Sequence, residues 1–149
     1  MKTLGITIDE AQRQLTKESG LKGLSGVSND VRDISEAAEK GNPNAKLALD
    51  VYVASARHWI GSYFFQLDGA DAIVFTAGIG ENRADIRAAI CANLDHLGIL
   101  LDTTKNAAAR ATETIISTPD SRVKIMVIPT NEELVVARET KRFLENSRN

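Results

Sequence analysis

The residues from Gly78 to Asn82 form a turn that could bind a charged or polar small molecule. They follow a short run of β-forming residues and precede a segment with helical spacing. Glycine permits close approach that a side chain would block, and free amides at a helix start can hold an anionic or polar ligand. A glycine turn of this kind is more often structural, and this one lacks both the complete GxGxxG and the lysine-bearing P-loop patterns. Taken alone, it leaves both interpretations open.

A second candidate turn runs from Thr130 to Glu133. Thr130 and Glu133 have the spacing of a capping box, which would engage Glu133 with the helix start and leave Glu132 free. A free carboxylate there could bind Mg²⁺ directly or through water, because hard cations choose oxygen ligands and keep much of their hydration. The alternative is that Glu132 only complements the helix dipole.

Asp30 and Arg32 pose a similar choice. They are either a helix-start carboxylate beside a solvated cation or a pair positioned on a nucleotide, and composition alone favours the first. Neither His58 nor His96 has a second histidine four residues away, so neither indicates a metal pair. The single cysteine, Cys91, is expected to be a packing residue.

Length and charge limit the classes of protein that fit the sequence. With 149 residues and 43% hydrophobic content, we expect a single domain over residues 1–149. The net charge of −2 argues against binding to nucleic acid or an anionic membrane. No apolar run approaches the roughly 18 residues that a membrane span requires. One cysteine is typical of a reducing compartment, and we therefore expect a cytoplasmic protein.

The elements that must position these residues follow from hydrophobic spacing and capping signals. Helices are expected from a Thr7 cap to about Ser19, then over Val31 to Glu39, Asn44 to Leu67, a segment from Ile86 to Leu97, Lys105 to Ala111, and Asn131 to about Asn146. The glycine-containing segment 20–30 is expected to be an ordered loop. Strands are expected over Asp71 to Thr76, Ile99 to Asp102, Thr114 to Ser117, and Val123 to Pro129.

Two strand-turn-helix units joined by a short β excursion predict an α/β fold, with a mainly parallel sheet flanked by helices. Ligands in such sheets bind outside the carboxyl ends of the strands, where both candidate turns lie. The long helix from Asn44 and the strand from Asp71 are expected to be largely buried. The helix from Asn131 offers Leu134, Ala137 and Phe143 for packing.

Three motifs in this order resemble the acetate kinase family. They are Gly23-Leu24-Ser25-Gly26-Val27-Ser28-Asn29-Asp30-Val31-Arg32-Asp33, Phe75-Thr76-Ala77-Gly78-Ile79-Gly80-Glu81-Asn82, and Ile128-Pro129-Thr130-Asn131-Glu132-Glu133-Leu134. The segments Asp71 to Phe75 and Ser117 to Ser121 also match, so the resemblance covers nearly the whole chain from about Lys17 onward. Three ordered motifs are far more specific than one.

The resemblance implies a phosphotransferase that uses ATP and Mg²⁺ to convert acetate into acetyl phosphate and ADP, with the actin-like and sugar-kinase ATPase fold. By motif, Asp30, Val31 and Arg32 would contact the adenine nucleotide. Gly78, Ile79, Gly80, Glu81 and Asn82 would form the wall of the adenosine pocket, and Glu132 would bind Mg²⁺. The partners implied are a nucleotide and a short-chain carboxylate, and the family also implies a homodimer.

The family's N-terminal phosphate motif, its His-containing glycine-rich loop and its substrate arginines and aspartate have no counterpart in this sequence. We therefore expect the C-terminal third or so of such an enzyme, with no catalytic residue of its own and negligible activity in isolation. An unpaired sheet edge is also expected, and with it self-association beyond the dimer. Propionate kinase is the enzymatic alternative, and a non-catalytic nucleotide- or partner-binding fragment is the alternative from another class.

Overall fold

The computed structural model describes residues 5–110 and 112–146, with the side chain of Glu132 excepted. The chain divides into two compact units, Met1–Gly69 and Ala70–Asn149. The expectation that residues 1–149 form a single domain stays a prediction. No helix in the described ranges is both long and apolar enough to span a bilayer.

The described part of the first unit is helical. Its elements are α1 (Ile8–Arg13), a π-helical segment (Gln14–Glu18), α2 (Gly20–Ser25), α3 (Val31–Glu39) and α4 (Pro43–Gln66). The Thr7 hydroxyl caps α1 by accepting from the Glu10 amide at 3.1 Å, as its spacing predicts. The expectation of a loop over residues 20–30 was wrong for its first half, which forms α2. That helix ends at Gly26, whose φ of 67° is a left-handed conformation that glycine adopts without strain.

Helices α3 and α4 have the bounds that their capping signals predict. The Asp30 carboxylate accepts from the Arg32 amide, and the Asn42 side chain accepts from the Asn44 and Ala45 amides. The buried cluster between these helices consists of Ile34, Ala45 and Ala48, against which Leu21 of α2 packs. This packing explains why a glycine-containing segment folds as a helix: its leucine reaches the core of the unit.

The burial predicted for α4 was wrong. Only Ala45 and Ala48 are buried, whereas Trp59 is 56% exposed and Phe65 is 88% exposed. The apolar residues of α4 cover a wide arc, but α2 and α3 contact only part of it. A wide apolar arc therefore indicates what a helix could bury rather than what it does bury.

The second unit alternates helices with strands. Its elements are β1 (Ala72–Phe75), α5 (Ala77–Asn82), α6 (Ala84–Cys91), a 3₁₀ turn (Asp95–Leu97), α7 (Thr103–Ala108), β2 (Thr114–Ile115), β3 (Lys124–Val127) and α8 (Glu132–Asn146). The strand order is β1-β3-β2. Strands β1 and β3 are parallel, with Ala72 opposite Lys124 and Phe75 opposite Val127, whereas β2 runs antiparallel to β3. The α/β class is confirmed, and the sheet is mixed.

The central strand β3 carries the core of this unit, with Ile125 and Val127 fully buried. Strand β1 was expected to be buried on both faces, but Ala72 and Val74, which share one face, are exposed, with Val74 at 47%. Strand β1 also lies at an edge of the described sheet. The short β excursion is present as β2 and an antiparallel bridge between Leu101 and Ser117. The helix expected to end at Ala111 ends earlier, at Ala108, and residue 111 lies outside the described ranges.

Two helices of the second unit differ from their predictions. Helix α6 ends at Cys91 instead of continuing to Leu97, because the chain turns at Asn93, whose φ is 57°. Asparagine tolerates this left-handed conformation better than most residues. Helix α8 has the expected length, but the residues offered for packing are exposed, with Leu134 at 42% and Phe143 at 70%.

Candidate functional site

The two candidate turns are neighbours in the structure. Because β1 and β3 are adjacent and parallel, their carboxyl ends lie at the same edge of the sheet. The main-chain nitrogen of Thr130 lies 2.9 Å from Oε1 of Glu81, and the Thr130 hydroxyl donates to the same oxygen at 2.9 Å. The turn after β1 and the turn after β3 are thus joined by two hydrogen bonds to a single carboxylate oxygen.

The Glu81 side chain is buried, with 8% of its surface exposed. The pKa of the Glu81 carboxyl lies below its ordinary value of 4.5, mainly because the Thr130 amide, and to a lesser extent the Thr130 hydroxyl, donates to it. Burial opposes this effect, and the Ala77 amide adds a small contribution in the same direction as Thr130. The carboxylate is therefore ionised at neutral pH and engaged within the protein. Sequence reasoning placed Glu81 in the wall of a pocket and did not identify this internal role.

The predicted capping box at Thr130 and Glu133 was wrong. Helix α8 begins at Glu132, and its amide cap is Asn131, whose Oδ1 accepts from the Leu134 amide at 2.9 Å. Asparagine is at least as good an N-cap as threonine, and the Thr130 hydroxyl is already donated to Glu81. The capping argument that singled out Glu132 therefore no longer applies. The side chain of Glu132 lies outside the described residues, and its role as a metal ligand stays a prediction.

Arg87 is a fully buried residue that sequence reasoning missed. Its guanidinium donates to the carbonyls of Gly80 and Glu81 at 2.8 and 2.9 Å. It also donates to Oδ1 and to the carbonyl of Asn106 on α7, at 2.7 and 2.8 Å. Burial lowers the pKa of the Arg87 guanidinium from its usual value. Arg87 thus ties the glycine turn to α7.

A sequence signal for Arg87 did exist. Arg87 stands three residues before Ile90 and four before Cys91, which places it on the buried side of α6. A charged residue on the apolar face of a helix needs hydrogen-bond partners, because burying it without them is costly. The sequence did not reveal that these partners would be main-chain carbonyls and Asn106.

The two glycines of the first turn differ in their surroundings. A Cβ added to Gly80 would lie 3.2 Å from the carbonyl carbon of Phe75, so Gly80 is required by its packing against β1. A Cβ on Gly78 would meet nothing within 4 Å, and Gly78 is not among the glycines with positive φ. Neither packing against the described residues nor backbone conformation explains a glycine at position 78. Asn82 donates from Nδ2 to the Gly78 carbonyl at 3.0 Å and so closes the turn on itself.

Ala77, which opens this turn, has a φ of 58°. The left-handed conformation is unfavourable for a residue with a Cβ and is sustained only by surrounding contacts. The Ala77 amide helps to lower the pKa of the Glu81 carboxyl, so this carboxylate lies near the start of the turn. Ile79 is half-buried within the same turn.

The third predicted group, Asp30, Val31 and Arg32, lies in the first unit. Asp30 caps α3, and the exposed Arg32 guanidinium folds back on it, with Nη2 2.5 Å from Oδ2. This bond to Asp30 raises the pKa of Arg32. The hydroxyl of Ser28 accepts from the Asp30 amide at 3.0 Å and fixes the approach to the helix. Val31 is buried, with 4% exposure, so only its main chain is placed to contact a ligand.

Within the described residues, no three His, Cys, Asp or Glu side chains come together as a metal cluster would require. The side chain of Glu132, the predicted ligand, is not among the residues compared. Mg²⁺ commonly keeps several waters and is bound by few carboxylates beside substrate phosphates. A carboxylate such as that of Glu132 would suit Mg²⁺ better than a transition metal that prefers histidine or thiolate ligands.

Comparison with known proteins identifies the class. The model of the acetokinase family matches residues 1–138. The acetate kinase of Syntrophomonas wolfei is 55% identical over 140 residues, which cover 94% of this chain and 35% of that protein. The crystal structure of Porphyromonas gingivalis acetate kinase superposes with a TM-score of 0.84 at 36% identity, covering 97% of this chain and 36% of that one. A propionate kinase from Francisella tularensis gives a TM-score of 0.78 at 42% identity, covering 93% of this chain and 35% of that one.

The fold is an α/β segment similar to part of the solved acetate and propionate kinases, and the candidate site is a pair of joined turns at the ends of two parallel strands. The chain belongs to the acetokinase family. It spans about a third of the length of the curated relatives it matches.

Proposed function

We propose that this chain supplies the adenosine- and Mg²⁺-binding part of an acetate kinase, which transfers a phosphoryl group between ATP and acetate to give acetyl phosphate and ADP. One observation carries the proposal: in a chain of this family, the two turns singled out from sequence are hydrogen-bonded together at the carboxyl ends of adjacent parallel strands. In α/β sheets this edge is where nucleotides bind.

In this proposal the turn from Gly78 to Asn82 lines the adenosine pocket with its main chain. Gly78 supports the assignment, because the open space beside it lets a purine or ribose approach the backbone closely. Glu81 contributes main-chain atoms only, since its carboxylate is engaged with Thr130. The assignment of Asp30, the main chain of Val31, and Arg32 as nucleotide contacts rests on the family motif alone.

Mg²⁺, held by Glu132, would neutralise charge on the nucleotide phosphates. Phosphoryl transfer depends mainly on positioning and on cations that stabilise the transferring group. The described residues of this chain provide the turns that orient the nucleotide, and we assign none of them to contact the acyl acceptor. We therefore expect negligible acetyl phosphate formation by the isolated chain, to be measured in a coupled assay.

Propionate kinase is the second candidate, favoured by the 42% identity to the enzyme from Francisella tularensis. A pocket for the acyl chain would have to discriminate acetate from propionate, and none of the residues assigned above contacts that group. Turnover of the full-length protein on the two acids distinguishes the candidates. A third candidate is a non-catalytic nucleotide-binding or partner-binding chain, which in-frame continuation of the gene into the family's upstream motifs would exclude.

The test of nucleotide binding is calorimetry of the chain with ADP and Mg²⁺. Gly78→Ala adds a methyl group into open space, so we expect an unchanged fold and weakened ADP binding. Gly61→Ala on α4 is the matched control, because Gly61 also has open space around it and lies outside the proposed site. Absence of heat with the wild-type chain, or equal ADP affinity in both variants, would contradict the proposal.

We further propose that the protein is cytoplasmic and self-associates. Self-association is supported by the edge position of β1, where Val74 is 47% exposed, and by exposed apolar residues on α4 and α8. Such an edge and such faces favour association between copies. Sedimentation of the chain at several concentrations tests this, and a monomer at all of them would contradict it.

A further inference from the structure

We propose that Glu81 is a positioning residue that sets the turn around Thr130 against the turn from Gly78 to Asn82, called here the adenosine turn, so that nucleotide and metal are held in one fixed geometry. This inference rests on the proposed function and refines it. Resemblance alone places Glu81 among residues that contact the nucleotide, whereas in the structure its carboxylate binds Thr130.

The first argument is the geometry of the carboxylate. Oε1 of Glu81 accepts from both the amide and the hydroxyl of Thr130, each at 2.9 Å. Thr130 lies 49 residues further along the chain, so these bonds are tertiary contacts between two turns. The side chain is 8% exposed, which leaves little of its surface for a ligand. Hydrogen bonds to an ionised acceptor are the stronger kind.

The second argument concerns the other side of the same turn. Arg87 donates to the carbonyls of Gly80 and Glu81, and this guanidinium is anchored on Asn106. The main chain at Glu81 is therefore fixed to α7 while its side chain reaches Thr130. A rigidly held residue can transmit position, and a loosely held one cannot. Glu81 is thus suited to fix the place of Thr130.

The consequence concerns Glu132, which follows Thr130 by two residues at the start of α8. Residues that orient metal ligands without touching the metal affect metal affinity strongly, and their loss costs about 10- to 100-fold. Removal of the Glu81 carboxylate is expected to weaken ADP binding in the presence of Mg²⁺ by at least about tenfold. ADP binding in EDTA should change much less.

The experiment uses the full 149-residue chain, with ADP titrated in Mg²⁺ and in EDTA, and hydrogen exchange of the Thr130 amide measured in parallel. Glu81→Ala should lose protection of that amide and lose the gain in ADP affinity that Mg²⁺ provides. Thr130→Val should act in the same direction but more weakly, because its amide can still donate. Thr130→Ser should restore the wild-type values, and Thr140→Val, at an exposed position on α8, should match wild type.

The outcomes distinguish a positioning role of Glu81 from direct contact with the nucleotide. If Glu81→Ala weakens ADP binding equally in Mg²⁺ and EDTA while Thr130→Val matches wild type, Glu81 contacts the nucleotide directly and the inference is wrong. If the wild-type chain binds no ADP, the proposed function fails, and the inference fails with it. If Glu81→Ala does not fold, the comparison of Thr130→Val with Thr130→Ser decides, and equal ADP affinities in those two variants overturn the inference.

Discussion

Replacement of Arg87 by methionine tests how the adenosine turn is held in place. Methionine keeps most of the apolar stem but removes every donor. Three acceptors lose a buried hydrogen bond: Asn106 Oδ1, the Asn106 carbonyl and the Glu81 carbonyl. The Gly80 carbonyl loses a partly buried one. Each buried acceptor left without a donor costs about 1–3 kcal/mol.

The expected loss lies near the lower end of the sum over three acceptors, because removing a buried charge offsets part of it. We expect Arg87→Met to lower the free energy of unfolding by about 3–5 kcal/mol. With an m-value of about 2 kcal/mol/M, the urea midpoint of the second unit should fall by roughly 2 M.

The measurement is urea unfolding followed by circular dichroism and by fluorescence of Trp59, the single tryptophan. Trp59 lies in the first unit, so its fluorescence separates effects on that unit from effects on the second. Arg138→Met is the matched control, because Arg138 is exposed on α8 and its replacement should change stability by less than about 0.5 kcal/mol. Equal midpoints for the two variants would refute the view that Arg87 holds the turn.

Three further outcomes follow from particular contacts. Gly80→Ala should destabilise the chain by about 1–3 kcal/mol in urea unfolding, because its Cβ would press on the main chain of Phe75; stability equal to that of Gly78→Ala would contradict this. Asn42→Ala should cost about 1 kcal/mol by removing the cap of α4, whereas Asn44→Ala at the second residue of the helix should cost less. The folded-state pKa of Glu81 lies below 4.5, so its stabilisation is complete above pH 4.5 and is lost as pH falls through the folded value. The difference in unfolding free energy between wild type and Glu81→Gln should therefore shrink below pH 4.5. A difference that stays constant with pH would contradict a lowered pKa for Glu81 in the folded state.

Local signals in the sequence predicted the elements well where capping decides them. Thr7, Asp30 and Asn42 each cap the helix that their spacing predicts. These caps depend on a few neighbouring residues, so they are readable without tertiary information. The strand before the glycine turn and the central strand β3 were also predicted, because short apolar runs rich in β-branched residues favour strands.

The errors share a cause, which is that burial is decided by partners distant in sequence. Helices α4 and α8 carry many apolar side chains, yet Phe65 and Phe143 are exposed in the structure. The cap of α8 was also decided by a residue distant in sequence. Thr130 was a plausible cap for α8 by local rules, but a carboxylate 49 residues earlier takes its hydroxyl, and Asn131 caps instead.

The same long-range contact explains how far the candidate site was predictable. The positions of the two turns at strand ends, and their adjacency, follow from parallel pairing and could be derived from sequence. What joins them could not, because a buried glutamate and a buried arginine are individually unfavourable and become favourable only through specific acceptors and donors. Glu81 and Arg87 lie six residues apart, one reaching towards Thr130 and the other towards Asn106. The turn from Gly78 to Asn82 is consequently held by two contacts, the Arg87 guanidinium on its main chain and Thr130 on the Glu81 side chain, while the space beside Gly78 stays open for a ligand.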